Sequence, residues 1–153
     1  MIIVRSVAFT PQETEVFATA RSFATVAFPG GPAPSQTRAA DRTDDETRLR
    51  ALNRLANNSW DPVDRDGLVL AVDALTVLHD QTGRETDPAY WHAQVPAGRA
   101  TSPTETDMTR VLIEARAIQA VQAQEALDLA REALGRLDPV DVPRYWRELQ
   151  KNA

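Results

Sequence analysis

The longest uninterrupted helical pattern in this chain, residues 102–135, constrains the fold more than any other feature. It opens with Ser102-Pro103-Thr104-Glu105, a capping box whose serine and glutamate side chains satisfy each other's backbone amides. No proline or glycine follows until Gly135, and Pro139 lies just beyond it, as is typical of a helix end. The pattern predicts a rod of about 32 residues and roughly 48 Å. Because the rod is rich in alanine, neighbouring elements are able to pack closely against it, which favours a helical packing or assembly module.

Three further segments show helical spacing of apolar residues, and together they predict a mostly all-α fold. Thr10-Pro11-Gln12-Glu13 and Thr43-Asp44-Asp45-Glu46 are two more capping boxes, which predict helices over 10–28 and 43–58. The segment 64–80 is apolar on nearly all sides and is expected to form a buried central helix. We therefore expect a four-helix-type bundle with one long helix in its C-terminal half, in a single domain covering residues 1–153.

The remaining segments are expected to be a strand, loops and short helices. Residues 1–9 are rich in β-branched side chains and predict a short strand or an extended arm, which needs a pairing partner in a loop or in another subunit. Prolines and glycines predict long loops over 29–42 and 81–102, with one helical turn near 87–91. A final short helix is expected over 144–151.

Composition excludes several classes of function. The formal net charge is −5, so attraction of the whole surface to nucleic acid or to an acidic membrane is not expected. The absence of cysteine excludes disulfides and thiolate chemistry. No apolar run is long enough to span a membrane and no signal peptide is recognisable, so a cytoplasmic location is expected. Only one of the 17 basic residues is lysine, a bias typical of bacteria with GC-rich genomes and of their phages.

Catalysis and metal binding have little support in the sequence. His79 and His92 are the only histidines, and no metal-ligand spacing surrounds them. No phosphate-binding glycine loop, nucleophile elbow or catalytic triad spacing is present, so no catalytic residue, cofactor or small-molecule ligand is predicted. His79 is expected to stabilise the end of the central helix. A small metal-binding protein or enzyme that uses both histidines remains an alternative.

A second alternative is an antitoxin-like or regulatory protein that binds nucleic acid. Basic residues cluster between Arg38 and Arg54, and Arg42, Arg50 and Arg54 are the candidate contacts. Neighbouring acidic residues nearly cancel their charge, so a solvated face with local ion pairs is the simpler interpretation. Nucleic acid is therefore an unfavoured partner.

The favoured hypothesis is a non-enzymatic adaptor or assembly subunit that binds protein through the long helix and its flanking loops. One broad side of that helix carries apolar residues, namely Met108, Val111, Leu112, Ala115, Ile118, Ala126, Leu129 and Ala133. A small bundle covers one such side. A second apolar side therefore invites another protein or another copy of this chain. The predicted partner-binding residues are Ile113, Ala117, Ala120, Val121, Leu127, Trp91 and Trp146, the two tryptophans being anchors if exposed.

Overall fold

Four long helices and one short helix form most of the described part of the chain, as the sequence predicts. The computed structural model describes residues 6–28, 39–57, 59–95 and 102–137, and for residues 39–44 it describes the backbone alone. The helices are α1 (Pro11–Ser22), α2 (Ala39–Asn57), α3 (Arg65–Arg84), α4 (Pro88–Ala93) and α5 (Pro103–Leu137), and the strands are β1 (Ser6–Val7) and β2 (Val63–Asp64). The mostly all-α fold class with a short N-terminal strand is confirmed.

The four long helices pack in a ring around the hydrophobic core. α1 packs against α2, α2 against α3, α3 against α5, and α5 returns to α1. The largest fully buried side chains are those of Phe9, Phe17, Leu52, Leu55, Val63, Leu68, Leu75, Leu78 and Thr82. α3 contributes the most of these and lies between α2 and α5, which agrees with its expected central place.

α1 begins as predicted and ends earlier than predicted. Its capping box is complete: the Glu13 amide donates to Thr10 Oγ1 at 3.2 Å, and the Thr10 amide donates to Glu13 Oε1 at 2.9 Å. The helix ends at Ser22, and a 3-10 turn follows over Ala24–Val26. The expectation of a helix to Phe28 was wrong. The tighter turn replaces the last part of the predicted helix, and it still places Phe28 in the core.

α2 begins at Ala39, four residues before the predicted capping box at Thr43. Thr43 is therefore inside the helix and not at its start. Residues 39–42 of the predicted loop are helical, and residues 29–38 lie outside the described part of the chain. The end of the helix at Asn57 agrees with the prediction.

α3 is longer and more exposed on one side than its sequence suggests. Asp64 caps it by accepting a hydrogen bond from the Gly67 amide at 2.8 Å. The helix then continues to Arg84, so the start of the predicted 81–102 loop is helical. Val69 and Leu70 are 39% and 38% exposed, so the expectation that this helix is buried on nearly all sides was wrong. The ring of helices covers two sides of α3 and leaves these two side chains in solvent.

The predicted N-terminal strand finds its partner within this chain. β1 pairs antiparallel with β2, with Ser6 opposite Asp64 and Val7 opposite Val63. The amide of Trp60 donates to the carbonyl of Phe9 at 2.8 Å and extends the connection between the two segments. The strand pair thereby joins the start of the described chain to the start of α3.

α4 corresponds to the helical turn predicted near 87–91. Asp87 caps it, accepting from the Ala89 amide at 2.9 Å. The rest of the predicted second loop, residues 96–101, and the predicted final helix, 144–151, lie outside the described residues. None of the described helices is both long enough and apolar enough to cross a membrane.

Candidate functional site

α5 extends well beyond the core of the bundle. The Ser102 hydroxyl accepts a hydrogen bond from the Glu105 amide at 3.1 Å, as predicted for the helix start. The helix continues for 35 residues to Leu137, which makes it about 52 Å long. Its buried residues all follow Gln122: Ala123, Ala126, Leu127, Ala130, Ala133 and Leu137. The part of α5 before Gln122 is therefore covered less completely than the part after it.

The point at which the bundle ends is marked by an ion pair between Glu85 and Arg116. Glu85 follows the last residue of α3, and its Oε1 lies 3.5 Å from Arg116 Nε. Residues 103–115 of α5 therefore lie past the end of α3, over a length of about 20 Å. Among the described elements, α4 accompanies this projecting segment.

A partly buried polar network holds α4 in this position. Glu85 Oε2 accepts from Gln81 Nε2 at 3.3 Å, and the same Gln81 nitrogen lies 3.3 Å from the Tyr90 hydroxyl. The Trp91 indole donates to the Glu85 carbonyl at 2.8 Å. α3, α4 and α5 are thus joined through Glu85, whose side chain is 8% exposed.

We expect Arg116→Met to destabilise the protein because it leaves the Glu85 carboxylate buried without its cation. The expected loss in the free energy of unfolding is about 1–3 kcal/mol. Arg110→Met is the matched control: Arg110 lies on the same helix and pairs with Asp107 at 3.3 Å, but its side chain is 70% exposed. Its expected cost is about 0–1 kcal/mol. Urea denaturation of both variants measures the difference, and equal losses would contradict a structural role for the Glu85 pair.

A cleft of about 710 Å³ separates α4 from the first half of α5. Its lining residues are Pro88, Trp91, His92, Val95, Thr106, Thr109, Arg110, Ile113 and Glu114. The Trp91 ring is half-buried and packs edge-to-face on Tyr90, with ring centroids 5.2 Å apart. The structure thus places two of the predicted partner-binding residues, Trp91 and Ile113, on one surface.

A row of exposed apolar side chains runs along a neighbouring face of the same segment. We call it the exposed stripe, and it consists of Met108, Val111, Ile118 and Val121. These side chains are 62%, 61%, 62% and 60% exposed, and they are most of the large exposed apolar residues in the described part of the chain. Met108, Val111 and Ile118, together with the half-buried Ala115, follow the 3–4–3 spacing of a coiled-coil seam, and Val121 lies beside the end of that seam. The stripe therefore has the geometry that packs against another helix.

The face that carries the stripe is covered further along α5. Gln122 and Glu125 lie beside α1, where they share a small cleft with Val16 and Thr19. Beyond that point Ala126 is buried and Leu129 is half-buried. α1 thus covers the second half of this face, and the exposed stripe is the uncovered continuation of the same face.

The structure separates the predicted partner-binding residues from one another. Leu127 is 2% exposed and belongs to the core, so its assignment to a partner surface was wrong. Val121 and Ala117 are exposed, and Ala120 is half-buried. Trp146 lies outside the described residues.

Sequence reasoning did not predict the exposure of three residues of the stripe. Met108, Val111 and Ile118 were assigned to the first apolar side of the helix, and the second side was expected to meet a partner. Their 3–4–3 spacing was a usable signal for a helix-packing face. The local pattern does not indicate that α1 stops covering this face near Gln122, which is what leaves these residues exposed.

The described arginines of the predicted nucleic-acid segment are partly engaged within the bundle. Arg54 donates to the carbonyl of Pro62 at 2.9 Å. Arg48 bonds Asp73 on α3 at 2.7 Å and Asp45 at 3.2 Å, and the Asp73 hydrogen bond raises the pKa of Arg48. Arg50 is exposed, while the side chain of Arg42 lies outside the described part. These contacts agree with local ion pairing and join α2 to its neighbours.

The two histidines occupy different settings. His79 lies within α3, five residues before its end, so its expected place at the helix terminus was wrong. Its Nδ1 lies 3.9 Å from Asp80 Oδ1. His92 is exposed and lines the cleft beside α4. Among the described residues, no group of three or more His, Cys, Asp or Glu side chains is placed to hold a metal ion.

Trp60 is a separate exposed aromatic residue near the strand pair. It is 63% exposed and has a φ of 65°, the left-handed region that non-glycine residues seldom adopt. Its backbone is held by the hydrogen bond to Phe9. The indole is therefore presented to solvent by an anchored backbone, which meets the condition under which a tryptophan serves as an interface anchor.

Comparisons with known proteins give no relative from which a function could be transferred. No protein-family model matches the chain, and no curated protein or solved structure matches it. The exposed apolar residues of α5 between Met108 and Val121 are therefore the basis for the functional interpretation.

Proposed function

We propose that this chain is a non-enzymatic protein-interaction module, an adaptor or assembly subunit that binds a helix of another protein chain along the exposed stripe. The observation that carries the proposal is the placement of Met108, Val111, Ile118 and Val121. All four are at least 60% exposed on the part of α5 that precedes Gln122.

Exposed apolar side chains do not stabilise the folded chain by burial, but they can stabilise a complex. Each large apolar side chain that moves from water into a packed interface stabilises the complex by about 1.5–3 kcal/mol when burial is complete. Single exposed apolar residues are common on protein surfaces, but a continuous row of them marks an interaction site. The exposed stripe is such a row, and it extends over about 20 Å of helix.

The shape of the stripe indicates which kind of structure binds it. A straight helical row with 3–4–3 spacing packs best against a second helix, whose side chains insert between those of the row. α1 already packs on the continuation of this face, beginning near Gln122 and Glu125. A bound helix would lie along α5 from the end of α1 towards Met108.

Site-specific photo-crosslinking in the cells from which the gene comes tests the proposal. A photoreactive amino acid replaces Val111 in one variant and Ile118 in another. Illumination should give a discrete adduct of higher mass in both, because the two side chains face the bound partner. The mass of the adduct and its peptides identify the partner.

The matched control places the same amino acid at Glu132, which is exposed on the second half of α5 away from the stripe. That variant should give no adduct of the same mass. Adding Ile118→Asp to the Val111 variant should abolish the adduct, because a charge in the seam opposes burial. Identical adducts at all three positions, or no adduct at Val111 and Ile118, would contradict the proposal.

A further inference from the structure

We infer that the helix bound by the exposed stripe is a basic amphipathic helix of a different protein and not a second copy of this chain. This inference rests on the proposed function and specifies its partner. It is carried by the charges that border the stripe, which are independent of the apolar row itself.

One border of the stripe is acidic. Asp107 and Glu114 are seven residues apart, so they lie in line beside the seam of Met108, Val111, Ala115 and Ile118, and Val121 follows on the same line. The Asp107 side chain is 69% exposed and Glu114 is also exposed. Arg110 bonds Asp107 at 3.3 Å and offsets its charge, so Glu114 supplies the net negative charge of this border.

The opposite border has no basic residue that could pair with an acidic border of the same kind. Leu112 and Gln119 are in line there and are uncharged. Arg116, the next arginine along the helix, turns towards α3 and pairs with Glu85. A helix with lysine or arginine beside its apolar seam would meet Asp107 and Glu114 in the positions that set partner choice in coiled coils.

These charges do not favour binding of a second copy of the chain. In an antiparallel pair centred on the stripe, Glu114 would face Glu114 of the other copy, which is a like-charge contact. In a parallel pair it would face Gln119, so no ion pair would form. The net charge of −5 on each chain adds long-range repulsion between copies and favours encounter with a basic partner.

A library of displayed helices tests this partner class directly. Each member carries a fixed apolar seam with Lys, Glu or Gln randomised at the flanking positions, and the library is sorted on the full chain. Library members that also bind the Ile118→Glu variant of the chain are removed, because their binding does not depend on the stripe. We expect the remaining binders to be enriched in lysine at the flank.

Charge reversal at Glu114 then tests whether this residue contacts the flanking positions of the displayed helices. Glu114→Lys should weaken the selected lysine-bearing helices about five- to tenfold at low salt, and helices with glutamate at the flank should recover the loss. Glu132→Lys is the control, since it changes the net charge equally but lies away from the stripe. It should leave affinity within about twofold.

The outcomes separate the inference from the proposed function. Stripe-dependent binders without lysine enrichment would overturn the basic partner class and leave the interaction function standing. Absence of any stripe-dependent binder, together with absence of crosslinked adducts, would overturn both. Light scattering that shows a dimer dissociated by Ile118→Glu would establish a second copy as the occupant and overturn the inference.

Discussion

Phe17→Ala should lower the free energy of unfolding by about 3–5 kcal/mol, the largest effect expected from a single change in this chain. Phe17 has no exposed surface, and its ring meets that of Phe9 edge-to-face with centroids 4.9 Å apart. The substitution removes this aromatic contact and leaves a cavity where α1 packs into the ring of helices. Because domains of this size have a total stability of about 5–15 kcal/mol, the variant loses a large part of it. Urea denaturation followed by circular dichroism measures the change.

Met108→Ala is the matched control for Phe17→Ala. It also removes a large apolar side chain, but Met108 is 62% exposed on the stripe. Its cost should stay within about 0.5 kcal/mol in the isolated chain. A cost as large as that of Phe17→Ala would mean that Met108 is packed within this chain, and the stripe would then not be a free surface.

Local signals in the sequence predicted the starts of helices well. The Thr10 capping box forms with both of its hydrogen bonds, and Ser102 accepts from the Glu105 amide as expected. Capping depends on residues three apart in the chain, so the sequence contains all the information required. Thr43 shows the limit of the signal: the same pattern occurs inside α2, because nothing local prevents the helix from starting at Ala39.

Helix ends depended on packing and were predicted less well. Gly135 suggested the end of α5, yet the helix continues to Leu137, which is 7% exposed. Glycine inside a helix costs about 1 kcal/mol relative to alanine. Burial of a leucine side chain stabilises by about 1.5–3 kcal/mol, which is larger. In this part of α5, tertiary packing therefore outweighs the local stop signal.

The sequence pattern predicted that the candidate site lies on α5, but it did not predict which face of α5 is exposed. Periodicity identified α5 as apolar on more than one side, but it assigned the exposed residues to the wrong side. Which face is covered depends on where α1 meets the helix, and that contact joins residues near Val16 to residues near Gln122. Leu127 shows the same limit, because its burial arises from the bundle and not from its local pattern.

Ala126→Leu should lower the free energy of unfolding by about 1–3 kcal/mol, although leucine and alanine are both strong helix formers. Ala126 has no exposed surface, and Ala123, Ala130 and Ala133 on the same face are equally buried. Small side chains let α5 approach α1 and α3 closely, so the added carbons of leucine would force the helices apart. The alanine content of the rod thus serves packing within this chain over its second half.

Ala117→Leu provides the control, because Ala117 is exposed on the first half of the same helix. Its unfolding free energy should match that of the wild type within about 0.5 kcal/mol. The comparison distinguishes the packed half of α5 from the exposed half, since the same substitution meets a packed neighbour at Ala126 and solvent at Ala117. If both variants lost equal stability, Ala117 would be packed within the chain, which would contradict the contrast between the two halves of α5.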